Sequence, residues 1–191
     1  MNIREIIEDL ETRRKVFHLF ALLLWLLPLN YLPSIITLLV FALVIGLNLL
    51  TVLGVGKERL AFYYRFVYKL EREKNYSRPG IQALWASLGI FMVFLLFGKE
   101  PAMVSVVVLA VGDAFASIVG IRCGRRKIGD RSLEGMLAFL LSSFFVLLPF
   151  IGLWKALSVS LFSAIVEALP LRLDDNFTVP LTAGFVYWIM L

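Results

Sequence analysis

Ala110–Gly135 reads AVGDAFASIVGIRCGRRKIGDRSLEG, and the fold of the whole chain turns on how this stretch is read. It leaves an apolar run, carries a lone acid at Asp113 and passes a series of small residues. It then enters a loop with Arg122, Arg125, Arg126, Lys127 and Arg131, and returns to an apolar run through Ser132 and Glu134. An ionisable side chain beside hydrocarbon is costly, so it needs a partner and marks a functional site by default.

Working outward, the 191 residues are 60% hydrophobic with a mean hydropathy of +0.87, well above the usage of soluble domains. Seven runs approach the roughly 20 apolar residues that span a bilayer: Val16–Leu32, Pro33–Val55, Ile81–Phe97, Ala102–Ile121, Leu133–Gly152, Trp154–Leu171 and Phe177–Leu191. They are continuously apolar rather than alternating, which selects helices over a β-barrel. The expectation is an all-α integral membrane protein of about seven transmembrane helices, one domain over residues 1–191. Ahead of the first run, Ile3, Ile6, Ile7 and Leu10 recur at helical spacing and predict a short interfacial helix. The mixed charges of the first fifteen residues do not read as a cleavable signal.

Of the 19 Lys and Arg residues, 17 fall on one side of this topology and only Lys99 and Lys155 on the other. The positive-inside rule therefore puts the N-terminus and the basic loops in the cytoplasm. The net charge of +5 belongs to that membrane face and needs no nucleic-acid partner. Cys123 is the sole cysteine, so there is neither an internal disulfide nor a multi-cysteine metal site.

Within span four, Gly112, Ala116, Gly120 and Gly124 form a small-xxx-small stripe that admits another backbone, inside the chain or between copies. Packing explains that stripe but not Asp113 beside it. Asp113 and Ser117 share a helix face, and Gly120 and Gly124 are places for the helix to end or re-enter. Ser132 suits an N-cap with Glu134 in the first turn, which also makes an anion-attracting helix start. Arg14, Lys15 and His18 share a face at the start of span one. Snorkelling covers the cations there, but His18 less well. Asn48, deep in span two, is placed to hydrogen-bond a neighbouring helix. Aromatics interleaved with bases over residues 56–80 suit an interfacial segment on anionic lipid. Glu167 is a second acid inside an apolar run, and Asp174, Asp175 and Asn176 read either as a turn and cap or as part of a site.

Asp113, Glu134, Glu167 and Asp175 thus reach one cytoplasmic-leaflet zone beside a cationic loop. Phosphoryl transfer needs carboxylates for Mg²⁺, cations for phosphate oxygens and an acceptor held in line. Asp113, Glu134 and Asp175, with Asn176 adjoining, could hold the metal. Arg125, Arg126, Lys127 and Arg131 could hold a triphosphate, alongside Ser117, Gly120, Gly124 and Ser132 and, from span one, Arg14 and Lys15. Asp113, Glu167 or His18 could take the proton of a lipid hydroxyl. There is no GxxxxGK[ST] loop and no kinase GxGxxG.

At these residues the sequence resembles the CTP-dependent lipid-alcohol kinases, which comprise dolichol kinase, phytol kinase and the fungal-type CTP-dependent diacylglycerol kinase. The family's R-K-x-x-H pattern is met by Arg14, Lys15 and His18. Its G-D-x-x-A-S-x-x-G-x-x-x-G segment is met by Gly112, Asp113, Ala116, Ser117, Gly120 and Gly124. Arg131, Ser132, Glu134 and Gly135 follow its K-S-x-E-G with Arg for Lys. Glu167, Asp175, Asn176, Val179 and Pro180 meet its closing E…D-N-x-x-[IV]-P. The chain departs where many relatives carry R-x-T-G-A-T, reading Arg78-Pro-Gly-Ile-Gln-Ala83. The resemblance implies CTP as phosphate donor, a divalent metal and a membrane lipid alcohol as acceptor. Two other functions use similar parts. A CTP-dependent phospholipid cytidylyltransferase would want a second cationic site, for which Arg14 and Lys15 serve. A small transporter would use Asp113 and Glu167 as ion sites, but the chain shows no clear repeat.

Overall fold

In a computed structural model, residues 3–59, 61–71, 75–129 and 131–191 are described, without the side chains of 3–10 and 70. Every apolar run becomes helix: α1 (Ile3–Leu23), α2 (Leu26–Tyr31), α3 (Ser34–Leu53), α5 (Ile81–Phe97), α6 (Lys99–Val107) continued by α7 (Asp113–Cys123), α8 (Leu133–Ile151), α9 (Leu153–Ala168) and α10 (Asp175–Ile189). Another helix, α4 (Ala61–Leu70), lies in the aromatic–basic segment. Three helical stretches, Ser34–Leu53, Lys99–Cys123 and Leu133–Ile151, are long and apolar enough to cross a membrane.

The outside of the bundle is that of a membrane protein. Phe20, Leu39, Leu43, Phe145 and Phe150 are all exposed. Lipid is as apolar as these side chains, so close packing rather than burial selects the inner faces. Glycine makes the tightest of those contacts. A Cβ on Gly112 would stand 2.6 Å from the Phe139 ring, and one on Gly184 2.3 Å from Val93. The small-residue stripe of α7 therefore packs inside this chain, against α8. Polar bonds add to the packing. Asn48 donates to Ser87 on α5 (3.4 Å), as expected of it, and Ser105 donates to the Pro180 carbonyl (2.9 Å).

Four features differ from the sequence reading. First, Val16–Leu32 is broken at Leu24 and Trp25, because Pro28 has no N–H for the Leu24 carbonyl and its ring would clash there. A tighter Trp25 N–H bond to the Leu22 carbonyl (2.9 Å) closes the turn, and Trp25 stacks on Phe41 at 4.2 Å. Second, no separate interfacial helix precedes the first run, since α1 is continuous from Ile3; the side chains of Ile3, Ile6, Ile7 and Leu10, which would form its apolar face, are outside those described. Third, a π-helical turn, Val108–Gly112, sits just before Asp113, while α7 runs through Gly120 and ends at Gly124, one of the two ends that the sequence offers. Fourth, the basic loop folds into a small antiparallel hairpin, β1 (Lys127–Ile128) against β2 (Arg131–Ser132), with Lys127 opposite Ser132.

Helix α4 is held by Tyr64, whose hydroxyl donates to the carbonyls of Leu50 (3.0 Å) and Val55 (2.8 Å) at the end of α3. Gly80, at φ 80°, then starts α5, and its N–H donates to Glu71 Oε2 at 2.7 Å.

Candidate active site

The acids and bases singled out in the sequence meet at one end of the bundle. Helix α1 packs on α7, which brings Lys15 Nζ to 2.6 Å from Asp113 Oδ2. Asp113 is 6% exposed, so this ion pair is nearly dry. His18, one turn further along α1, lies beside Asp113 and the Asn176 side chain. Glu167, 4% exposed at the end of α9, receives Arg131 Nε at 3.3 Å, and the same guanidinium donates to Asp175 at the start of α10. Arg131 and Lys15 also act electrostatically on both Asp113 and Glu167, so the two ion-paired groups form one cluster. A buried charge survives only when paired in this way.

The chain ends that carry the cluster are fixed by their own caps. Ser132 caps α8 as expected, its hydroxyl accepting from Gly135 N–H at 3.1 Å. Asp174 caps α10, accepting from both the backbone N–H (2.9 Å) and the side-chain amide (2.8 Å) of Asn176. Pro180 lacks an N–H for the Asn176 carbonyl, and Gly89 of α5 packs there, where a Cβ would come to 3.1 Å from that oxygen.

Two cavities open on either side of Arg131 and Glu167. One, of about 420 Å³, has a wall of Ser117, Gly120, Gly124 and Gly135 facing Lys127 and Ser132. Glycine is required there by space. A Cβ on Gly124 would stand 2.2 Å from the Gly120 carbonyl, and one on Gly135 2.9 Å from that of Ala116. The other, of about 570 Å³, is bounded by Trp85, Arg172, Asp174 and Asp175. They adjoin at Arg131 and Glu167 as one trough, whose glycine-lined part also takes in Lys127 and Arg131, a donor set suited to phosphate oxygens.

Of the expected phosphate set, Ser117, Gly120, Gly124, Lys127, Arg131 and Ser132 share the glycine-walled cavity. Arg125 and Arg126 have exposed side chains, and their N–H groups donate to Glu134 at 3.0 and 3.3 Å. Glu134 is therefore engaged in holding the hairpin on α8. Arg14 pairs with Glu11 at 2.7 Å and lines, with Lys15 and His18, a separate cleft between α1, α3, α4 and α5. Among the described residues no three His, Cys, Asp or Glu side chains converge as a ready-made metal cage. Mg²⁺ needs only one or two carboxylates beside phosphate oxygens. Asp175, partly exposed on the trough with Asn176 next to it, fits that modest demand. The ion-pairing of Arg131 with Glu167 and Asp175 was missed in sequence, where Arg131 was assigned only to phosphate.

These features define a helical membrane protein with a buried acid–base cluster beside a trough lined in part by Lys127 and Arg131. The chain is 31% identical to an uncharacterized protein of Methanocaldococcus jannaschii over 92% of each. It is 28% identical to the dolichol kinase of Schizosaccharomyces pombe over 94% of this chain, and 30% identical to a probable chloroplastic phytol kinase of Glycine max over 78% of it. It spans 40% and 53% of those two proteins. No family model matches the sequence. No solved structure matches it either. The chain belongs to the lipid-alcohol kinase family that includes dolichol kinase and the phytol kinases.

Proposed function

We propose that the protein is a CTP-dependent kinase that phosphorylates the hydroxyl of a membrane lipid alcohol, of dolichol, polyprenol or diacylglycerol type, at the cytoplasmic leaflet. The observation that carries this reading is the trough shared by Arg131 and Glu167, set beside the buried Lys15–Asp113 pair. The choice of CTP rests on the motif resemblance. The orientation rests on the charge asymmetry, with the seven apolar runs as spans and the N-terminus inside.

In this reading the triphosphate lies along Ser117, Gly120, Gly124 and Ser132, with Lys127 and Arg131 on its oxygens. A divalent cation, when bound, would be held by Asp175 and Asn176 with the phosphates and would offset their charge. The lipid hydroxyl approaches the γ-phosphorus, its proton passing to Asp113, with His18 and Glu167 as the neighbouring groups that can accept it. The new bond joins the alcohol oxygen to phosphorus, the β–γ bridging bond breaks, and CDP leaves. Lys15, paired with Asp113, balances the charge of the carboxylate before transfer.

The test is a panel of lipid alcohols incubated with γ-labelled and α-labelled CTP, and with γ-labelled ATP, in detergent. Label from γ-CTP in lipid is expected. Label from α-CTP in lipid would replace the kinase with a cytidylyltransferase, and γ-ATP as the better donor would remove the CTP assignment.

A further inference from the structure

The cleft between α1, α3, α4 and α5 takes no part in the nucleotide reading. It holds about 260 Å³ and lies on the α1 side of the Lys15–Asp113 pair. Its lining includes the polar side chains of Lys15, His18, Asn48 and Gln82. Its mouth is aromatic: Phe17 and Phe66 meet edge-on at 5.6 Å, and they are 42% and 45% exposed. Outside it, Leu43, Leu47 and Leu50 recur along α3 and are exposed.

We infer that this cleft is the acceptor site, which takes the hydroxyl end of an uncharged single-headed lipid and lets its tail run out past Phe17 and Phe66 onto α3. The inference rests on the kinase reading and adds a place and a charge preference to it. Three observations support it. The lining sets Lys15, His18, Asn48 and Gln82 beside Phe17, Phe66 and Val67, so that polar and apolar groups face one occupant, as an alcohol on a hydrocarbon tail requires. Its lining includes Lys15 and His18, which reach Asp113 from this side, while the next turn of the Asp113 helix lines the glycine-walled cavity at Ser117. An alcohol here and a triphosphate there would face one another across the buried cluster. Finally, the two cations of the lining already have carboxylate partners, Arg14 with Glu11 and Lys15 with Asp113, so the cleft suits a neutral hydroxyl better than a phosphate.

The experiment uses the full chain in nanodiscs and a C20 isoprenoid alcohol with a photoreactive diazirine near its hydroxyl end. Cross-links are mapped without nucleotide. Labelling should fall on α1 and α4, at or near Phe17, Tyr63 and Phe66. Unlabelled alcohol should compete at least tenfold better than its monophosphate. Phe66→Ala should lower labelling at least fivefold and raise KM for the alcohol while leaving KM for the nucleotide in place. Labelling confined to α8, α9 or α10, equal competition by the monophosphate, or a rise only in the nucleotide KM would overturn the assignment. Labelling at the cleft without transfer from any nucleotide would retain the alcohol site and remove the kinase. Transfer with labelling elsewhere would do the reverse.

Discussion

Lys15 Nζ and Asp113 Oδ2 lie 2.6 Å apart although 98 residues separate them in sequence. With Asp113 almost fully enclosed, each charge is held in a dry site chiefly by the other. Removing one partner of such a pair costs about 3–5 kcal/mol, because the survivor is left uncompensated.

Asp113→Asn should abolish phosphorylation while the protein still inserts and folds. Lys15→Ala should lose activity and also melt earlier in detergent. Combining the two changes should recover much of the thermal stability and none of the turnover. Normal turnover by Asp113→Asn would sink the proposed centre, and additive losses of stability in the double variant would show that the pair is not coupled.

Arg131→Lys keeps the positive charge but replaces a fork that reaches Glu167 and Asp175 together with a single ammonium group. Catalytic efficiency toward the nucleotide should fall at least about tenfold, equivalent to about 1.4 kcal/mol. Wild-type efficiency would mean that charge alone suffices and the bridging geometry is idle.

The glycine wall makes an ordered prediction. A Cβ at Gly120 would meet the Ser132 hydroxyl at 3.2 Å and the Gly135 Cα at 3.8 Å, whereas at Gly124 and Gly135 it would press on backbone carbonyls at 2.2 and 2.9 Å. Gly120→Ala should be the mildest of the three alanine variants in both melting temperature and nucleotide KM. A milder Gly124→Ala would contradict the close contact of Gly124 with the Gly120 carbonyl.

Lys127 lines the glycine-walled cavity, while the Arg126 side chain is exposed and its backbone N–H is held by Glu134. The double change Arg126→Ala with Lys127→Ala should raise the nucleotide KM mainly through Lys127. Lys127→Ala alone should reproduce most of the effect. An unchanged KM in the double variant would move the triphosphate away from the hairpin, toward Arg14 and Lys15.

Tyr64→Phe removes the one O–H that is shared between the Leu50 and Val55 carbonyls and ties α4 to the end of α3, a donation worth about 0.5–1.5 kcal/mol. Burial also holds the Tyr64 phenol above its ordinary value. Its raised value means that the contribution is complete below about pH 10, the unperturbed value, and is lost as pH rises through the folded one. Melting temperature against pH should therefore drop less steeply above about pH 10 in Tyr64→Phe than in the wild type. Parallel curves would rule out Tyr64 as the titrating group.

Much of the architecture was legible because hydrocarbon solvent imposes simple rules. All seven apolar runs become helix, and the residues flagged as too polar for their surroundings, His18, Asp113 and Glu167, meet at one end. The cap at Ser132 was legible too, because it depends on neighbours three residues away. What sequence did not show depends on distant partners. Glu134 looked like any other acid near the site until the hairpin placed two N–H groups against it. The ion pairing of Arg131 needed the ends of α9 and α10 in position first. Pro28 carried a local signal for the break at Leu24–Trp25, whereas the π-helical turn before Asp113 had none beyond Gly112.

That π-helical turn has a mechanical consequence. A wider turn holds one residue more than the α-helix it interrupts, so it absorbs an offset between the segments on either side. Above it, the helix is pinned through Ser105 to α10; below it, through Asp113 to α1. The two halves thus keep independent registers. The half that bears Asp113 can hold its alignment on α1 while the half that bears Ser105 shifts with α10.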